Sequence, residues 1–260
     1  MSNRANKDGT VGKALEILDD VAAFGRPVRF NELLVQSNHP KATLYRLMQT
    51  LTNQGMLDYN PDHQTYAPGV RLVRLAHAAW QQSSLAPIAK QALDNLSKSL
   101  GQTIHLAQLD NGQALYVDKR DARRPIEMFS QAGKVGPGYC TGVGKAMLAF
   151  LDEEQRAQAL AQQAFYAFTD NTITDCKLLE DELLEIRKLG ISFDKEEHEP
   201  GIICVAVPIL SESARMLGGL SITSSTNRTT LDELEKFAPQ MKIAAREIAI
   251  ACENWYFPNH

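Results

Sequence analysis

The 260 residues are 44% hydrophobic and 22% charged with a formal net charge of −4, the balance of a globular chain rather than a disordered or fibrous one. The polar start, Met1 to Thr10, does not resemble a secretory signal, and no apolar run approaches membrane-spanning length, so a cytoplasmic protein with no membrane segment is expected. Cys140, Cys176, Cys204 and Cys252 lie far apart without Cys-x-x-Cys or Cys-x-x-His spacing, which argues against a structural zinc or a disulfide framework.

In chain order, Val11, Ala14, Leu15, Leu18, Val21 and Ala22 form an apolar stripe at helical spacing that ends near Gly25-Arg26-Pro27. Residues 31 to 51 then read as a short helix, a turn at Ser37-Asn38-His39-Pro40 and a second amphipathic helix. On that second helix Leu44, Leu47, Met48 and Leu51 share one face, while Thr43, Arg46, Gln49, Thr50 and Asn53 point the other way. The apolar face is suited to docking. The polar face carries the residue types that pair with base edges, since a guanidinium binds both acceptors of guanine and a side-chain amide pairs with adenine. Met56 to Tyr59 and Gln64 to Tyr66, joined by Asn60-Pro61-Asp62-His63, read as a small hairpin, and a helix-turn-helix followed at once by a hairpin is a winged one. The plainer alternative is a helical mini-domain with a polar outer face.

The charge is unevenly spread. Residues 1 to 75 hold 9 Lys and Arg against 7 Asp and Glu, and the remainder holds 18 against 24. A mildly basic head on an acidic body is compatible with DNA binding, but so small an excess requires several copies acting together to neutralise enough phosphates.

A helix from about Gly69 to Ser83, with Leu72, Val73, Leu75, Ala76, Ala79 and Trp80 in one arc, reads as a connector. A further helix from about Pro87 to Leu100 stops at Gly101. Thr103 to Leu109 and Ala114 to Lys119 flank Asp110-Asn111-Gly112, a strong hairpin signal, and Ile126 to Ser130 is expected as a third strand. Helices follow at about 144 to 150, 152 to 164 and 177 to 189. Three strands come next, at 191 to 194, 202 to 210 and 219 to 223, and then one last helix from the capping box Thr230-x-x-Glu233 to about Asn254. This order describes an antiparallel sheet with helices packed on it, an α+β domain.

Five segments carry a resemblance: Val11-Gly-Lys-Ala-Leu-Glu-Ile-Leu18, Pro40-Lys-Ala-Thr-Leu-Tyr-Arg-Leu47, Thr141-Gly-Val-Gly-Lys-Ala146, Asp194-Lys-Glu-Glu197 and Gly201-Ile-Ile-Cys-Val-Ala-Val-Pro208. In this order and spacing the chain resembles the IclR family of bacterial transcription regulators, from about Val11 to Tyr256. The resemblance implies a winged helix-turn-helix DNA-binding domain at 10–72, a linker helix at 73–86 and a GAF-like effector-binding domain at 87–258. It also implies dimers through the DNA-binding domains that pair into a homotetramer, and a palindromic double-stranded operator. Lys41 would hold phosphate while Thr43, Tyr45, Arg46 and Gln49 enter the major groove. Two departures stand in the turn, Asn38-His39 in place of Gly-Leu and Ala42 in place of Ser. Asn38 is expected to take the left-handed conformation a Gly would supply, and His39 to face solvent or touch phosphate.

The family's ligand pocket, carried over position by position, falls on Met128, Gly142, Val143, Asp194, Cys204, Ser221 and Thr223. Gly142 precedes a helix, where N–H groups favour an anion and a missing side chain permits close approach. Ser221 and Thr223 are two apart in a strand and share a face. A small carboxylate, a sugar acid or keto acid, suits this set, and the text around Thr103 to Leu106 and Thr172 to Thr174 is similar to the sugar-acid-sensing branch of the family. Each residue also has an ordinary explanation: tight packing for Gly142, a small buried hydrophobe for Cys204, solvent exposure for the two hydroxyls. Asp194, Glu196, Glu197, His198 and Glu199 look like metal ligands only on paper, because neighbours in an extended segment face opposite ways. His105 with Cys204 has no orienting third group, so no catalytic residue, metal or cofactor is expected. The expected function is a ligand-responsive regulator, a repressor of a catabolic operon or an activator of the same architecture.

Overall fold

The computed structural model describes residues 9–253, which divide into two compact units that meet in sequence between Gln82 and Ser83. The first unit contains α1 (Gly9–Ala23), β1 (Val28–Arg29), α2 (Phe30–Gln36), α3 (Lys41–Asn53), β2 (Leu57–Asn60), β3 (Thr65–Pro68) and α4 (Val70–Ser83). Ile17, Leu18 and Val21 of α1 meet Leu33 of α2 and Leu44, Leu47, Met48 and Leu51 of α3 in one core, closed by Val28, Leu57 and Tyr66 from the strands. The hairpin β2–β3 is joined by β1 into a three-stranded antiparallel sheet of order β1-β3-β2. Two-residue β1 was missed in the sequence because so short a strand has no alternation to detect. The wing turn is held by Asn60, whose Oδ1 accepts the N–H groups of Asp62 and His63.

The turn between α2 and α3 differs from expectation. Asn38 keeps a negative φ, and the turn is instead closed by Ser37, whose Oγ accepts the His39 N–H at 3.1 Å. His39 does not face solvent: its side chain is 13% exposed, with Nε2 3.3 Å from Glu16 Oε2 of α1. It therefore pins the turn to the first helix.

The second unit contains α5 (Ala86–Leu100), β4 (Thr103–Asp110), β5 (Gln113–Arg120), β6 (Val135–Gly136), α6 (Gly142–Leu148), α7 (Glu153–Ala161), α8 (Cys176–Leu189), β7 (Ser192–Lys195), β8 (Ile202–Leu210), β9 (Met216–Ser225), α9 (Leu231–Glu235) and α10 (Ala238–Ala251). The strands form a six-stranded antiparallel sheet of order β6-β5-β4-β9-β8-β7. Asn111 and Gly112 both take positive φ, as the tight hairpin between β4 and β5 requires. Helices α5 and α10 pack on each other and on the sheet, and α6 packs on β7, β8 and β9. Cys204 and Ala206 of β8 turn to the side of α6, alternating with the buried Ile203, Val205 and Val207. With both faces covered, β8 reads as an unbroken apolar run instead of an alternating one.

Two expected elements are absent. Residues 126 to 130 form no strand; the partner of β5 at that edge is β6, paired as Ala114 with Gly136 and Leu115 with Val135. The last helix is two, because Pro239 sits in the first turn of α10 and cannot continue a preceding helix. The capping box is present, with Thr230 Oγ1 accepting the Glu233 N–H and Glu233 closing back on the Thr230 N–H.

Candidate functional site

Two regions stand out, one in each unit. On α3 the four apolar residues are buried, and Lys41, Tyr45, Arg46, Gln49 and Thr50 are exposed on the outer side, with Thr43 half-buried beside them. Tyr45 is held edge-on by Phe30 at 5.8 Å between ring centres, and its hydroxyl accepts the Gln49 side-chain amide at 3.2 Å. Thr50 Oγ1 donates to the Arg46 carbonyl, which turns that hydroxyl back on the helix and leaves the outer strip to Arg46, Gln49 and Tyr45.

In the second unit a cavity of about 30 Å³ lies between the N-terminus of α6 and the sheet, room for only a few water molecules. Six of the residues singled out in the sequence meet at it: Gly142, Val143, Asp194, Cys204, Ser221 and Thr223. Met128 does not line it; that side chain is buried nearby, and its neighbours Phe129 and Ser130 line the cavity instead.

The polar floor is organised by His105 of β4. Its Nε2 lies 2.8 Å from Ser130 Oγ, and its Nδ1 lies 3.3 Å from Thr223 Oγ1 and 3.5 Å from Ser221 Oγ. Burial, and then the Lys119 ammonium, pull its pKa down to about 3, so the ring is neutral and carries one proton. Whichever nitrogen holds that proton donates to a hydroxyl, and the other accepts one. Sequence inspection met His105 only as a partner for Cys204; the signal that would have found its role is the register pairing it with Ser221.

The wall is acidic. Asp194 Oδ1 accepts the Glu197 N–H at 2.8 Å, and burial, reinforced by the Glu197 carboxylate, pushes its pKa up to about 7. Behind it Lys145 of α6, fully buried, donates to Glu197 at 2.5 Å and to Glu182 of α8 at 2.7 Å. Burial opposes its charge, but the two carboxylates overcome this and raise its pKa. At the mouth, the Phe129 N–H donates to Glu199 Oε1 at 3.0 Å, and the His198 ring stands edge-on between Phe129 and Phe168.

Gly142 has the ordinary use that the sequence also offered, tight packing. A Cβ there would lie 2.4 Å from Cys204 Sγ, so the missing side chain makes room for the protein's own thiol rather than for a ligand. The N–H groups of Gly142 and Asp194 point at that sulfur, and burial raises the thiol's pKa, which makes Cys204 an inert packing group rather than a nucleophile. The acidic run also diverges: Glu196, at positive φ, takes the Gly201 N–H, and among the described residues no metal-binding group of His, Cys, Asp and Glu is formed.

The model of the bacterial transcriptional regulator IclR C-terminal domain matches residues 77–250, and that of the IclR helix-turn-helix domain matches residues 10–61. The chain belongs to the IclR family. It is 30% identical over 242 residues to the HTH-type transcriptional regulator XynR of Escherichia coli strain K12, covering 93% of this chain and 96% of that protein. It is also 30% identical over 241 residues to the transcriptional repressor IclR of the same organism, covering 92% and 88%. The crystal structure of Thermotoga maritima IclR superposes with a TM-score of 0.71 at 32% identity, covering 93% of this chain and 97% of that one. These relatives are transcriptional regulators and not enzymes, and the α+β build with an N-terminal helix-turn-helix is the one they share. This IclR-family chain is accordingly a DNA-binding transcriptional regulator. Among its described residues, no helix is long and apolar enough to cross a membrane.

Proposed function

We propose that this protein is a cytoplasmic repressor of a catabolic operon whose operator affinity is altered by a small organic or sugar acid held at the His105 cavity. In this proposal residues 10–72 bind DNA, 73–86 link, and 87–258 sense the effector. Thr43, Tyr45, Arg46 and Gln49 enter the major groove and Lys41 holds phosphate. The observation that carries it is the division of labour on α3: its four apolar residues are sunk in the core and its polar residues stand out together, as groove insertion demands.

The effector part rests on a cavity that mixes hydroxyls, a neutral imidazole and one deeply buried carboxyl group, chemistry suited to a hydroxylated or keto acid. Pairing of two copies is supported by Val11 and Leu15 of α1 and by Val70, Val73 and Leu75 of α4, apolar side chains left exposed in the single chain. Dimers pairing again through the effector domains would give the homotetramer. Two-fold symmetry then requires a palindromic operator with half-sites about one helical turn, or multiples, apart. The acid acts only through its differential affinity for DNA-competent and incompetent arrangements.

The test is footprinting on fragments from upstream of its own gene and the flanking genes at moderate salt, with and without candidate acids. A protected palindrome whose occupancy responds to one acid is the expected result. Failure to protect any fragment would reduce the chain to an interaction module, and consumption of an acid that stops with Cys204→Ala would make it an enzyme.

A further inference from the structure

The charges around the cavity carry one step beyond this, a step that rests on the proposal that the cavity takes an organic acid. Asp194 of β7 is 6% exposed and lines the cavity. Opposite it on β8 is Cys204, a protonated thiol, and Cys140 ahead of α6 is another, both kept neutral by burial. From the sheet, Tyr116 and His105 face the cavity as a neutral phenol and a neutral imidazole. The Lys145 ammonium on α6 is taken by Glu197 and by Glu182 of α8, and it does not line the cavity. Glu197 itself has its Oε2 buried without a hydrogen-bond partner, so the wall behind Asp194 is already rich in negative charge. At the mouth stand Glu199 and His198, the latter held below its ordinary pKa by burial.

Among the described residues, then, the lining offers carboxyl groups, hydroxyls, a thiol and uncharged rings, but no lysine or arginine. An incoming carboxylate would set a second negative charge against Asp194 in a buried site. Two carboxylates sharing such a site do not both stay ionised.

We propose that the effector is taken up together with one proton, and that this proton sits on Asp194, whose neutral carboxyl group donates a hydrogen bond to the acid's carboxylate. Oδ1 already accepts the Glu197 N–H, and the carboxyl also takes a backbone bond from His198, so the proton sits on whichever oxygen is turned to the acid. The proton comes from solvent, and no other bond is made or broken. Asp194 thereby becomes a specificity determinant: a sugar lacking the carboxylate brings no charge for the proton to offset. Burial has prepared the group, because its pKa of about 7 leaves it partly protonated near neutrality before any ligand arrives.

Calorimetric titration of the full chain with D-gluconate, pyruvate and 4-hydroxybenzoate, in phosphate and in Tris from about pH 6 to about pH 9, tests this. Expected above neutrality are an uptake approaching one proton per site and an affinity that falls about tenfold per pH unit. Asp194→Asn should bind the same acid with a flat pH profile, its amide replacing the carboxyl donor, while Glu185→Gln, exposed on α8 and outside the cavity, keeps the slope. A pH-independent affinity with no buffer dependence of the heat overturns the proton linkage and leaves the acid site standing. So does an unchanged slope in Asp194→Asn. If none of the three acids binds, the acid site and the linkage fall together. Should Asp194→Asn fail to fold, the proton count on the unaltered protein decides alone.

Discussion

Gly142 and Cys204 compete for one space: the first Cβ atom of any side chain at 142 would fall 2.4 Å from the sulfur at 204. Such overlap forces either the thiol or the start of α6 to shift. Gly142→Ala should therefore destabilise the chain by about 1–3 kcal/mol, read from urea unfolding. Cys204→Ala in the same chain should recover most of that loss. A double variant no more stable than Gly142→Ala would mean that the strain lies elsewhere.

Lys145 is the cation that makes two inward carboxylates tolerable. Lys145→Met should cost about 3–5 kcal/mol, because Glu197 is left buried and unpaired. Adding Glu197→Gln should reduce the cost, since Glu182 is partly exposed and can turn to water. Chemical denaturation of the two variants decides it; equal losses in the single and double variants would show that Lys145 acts by packing alone.

His105 and Asp194 pull stability in opposite directions as pH changes. The buried His105 resists protonation down to about pH 3, so between there and its ordinary 6.5 the unfolded chain binds the extra proton, and this residue's contribution falls as pH falls. The buried Asp194 holds its proton up to about pH 7 against an ordinary 3.8, so across that window the folded chain binds more, and its contribution falls as pH rises. The two slopes oppose each other between about pH 4 and 6.5. His105→Gln should expose a stability that declines with rising pH there, and Asp194→Asn one that increases. Urea midpoints across this range measure both, and parallel profiles in the two variants would count against the assignment.

On DNA the exposed side chains of α3 should separate by role. Arg46→Ala should cost about 1–3 kcal/mol on the operator with little change on random sequence. Lys41→Gln should weaken both alike and lower the salt dependence by about one counterion. Gel-shift titrations at several salt concentrations give both numbers. An equal loss on random DNA for Arg46→Ala would make that residue a phosphate contact.

Much of this was legible in the sequence, and what escaped has physical causes. The α3 stripe of Leu44, Leu47, Met48 and Leu51 and the helix stops at Gly101 and Gly190 depend on local periodicity and on left-handed glycines, which a sequence displays directly. Six of the seven positions carried over from the family do line the cavity. Met128 was not well placed, because an irregular segment offers no period to fix which of three neighbours turns inward. His105 and Lys145 were not weighed for what they do, since their importance arises from partners 25 to 118 residues away in the chain. His39 was misjudged for the same reason: nothing near it in sequence announces Glu16.

The small size of the cavity has its own consequence. Space for a few waters, with the Phe129 amide tied to Glu199 across the mouth, is too little for any acid with a sugar backbone. Under the proposed function, such an acid would have to part the Phe129 amide from Glu199 and spread the 121–134 loop from the turn after β7, so the signal would be registered as a mechanical event. The work of spreading those walls is what a regulator needs, since a ligand that slipped in without deforming its host would leave the DNA-binding end uninformed.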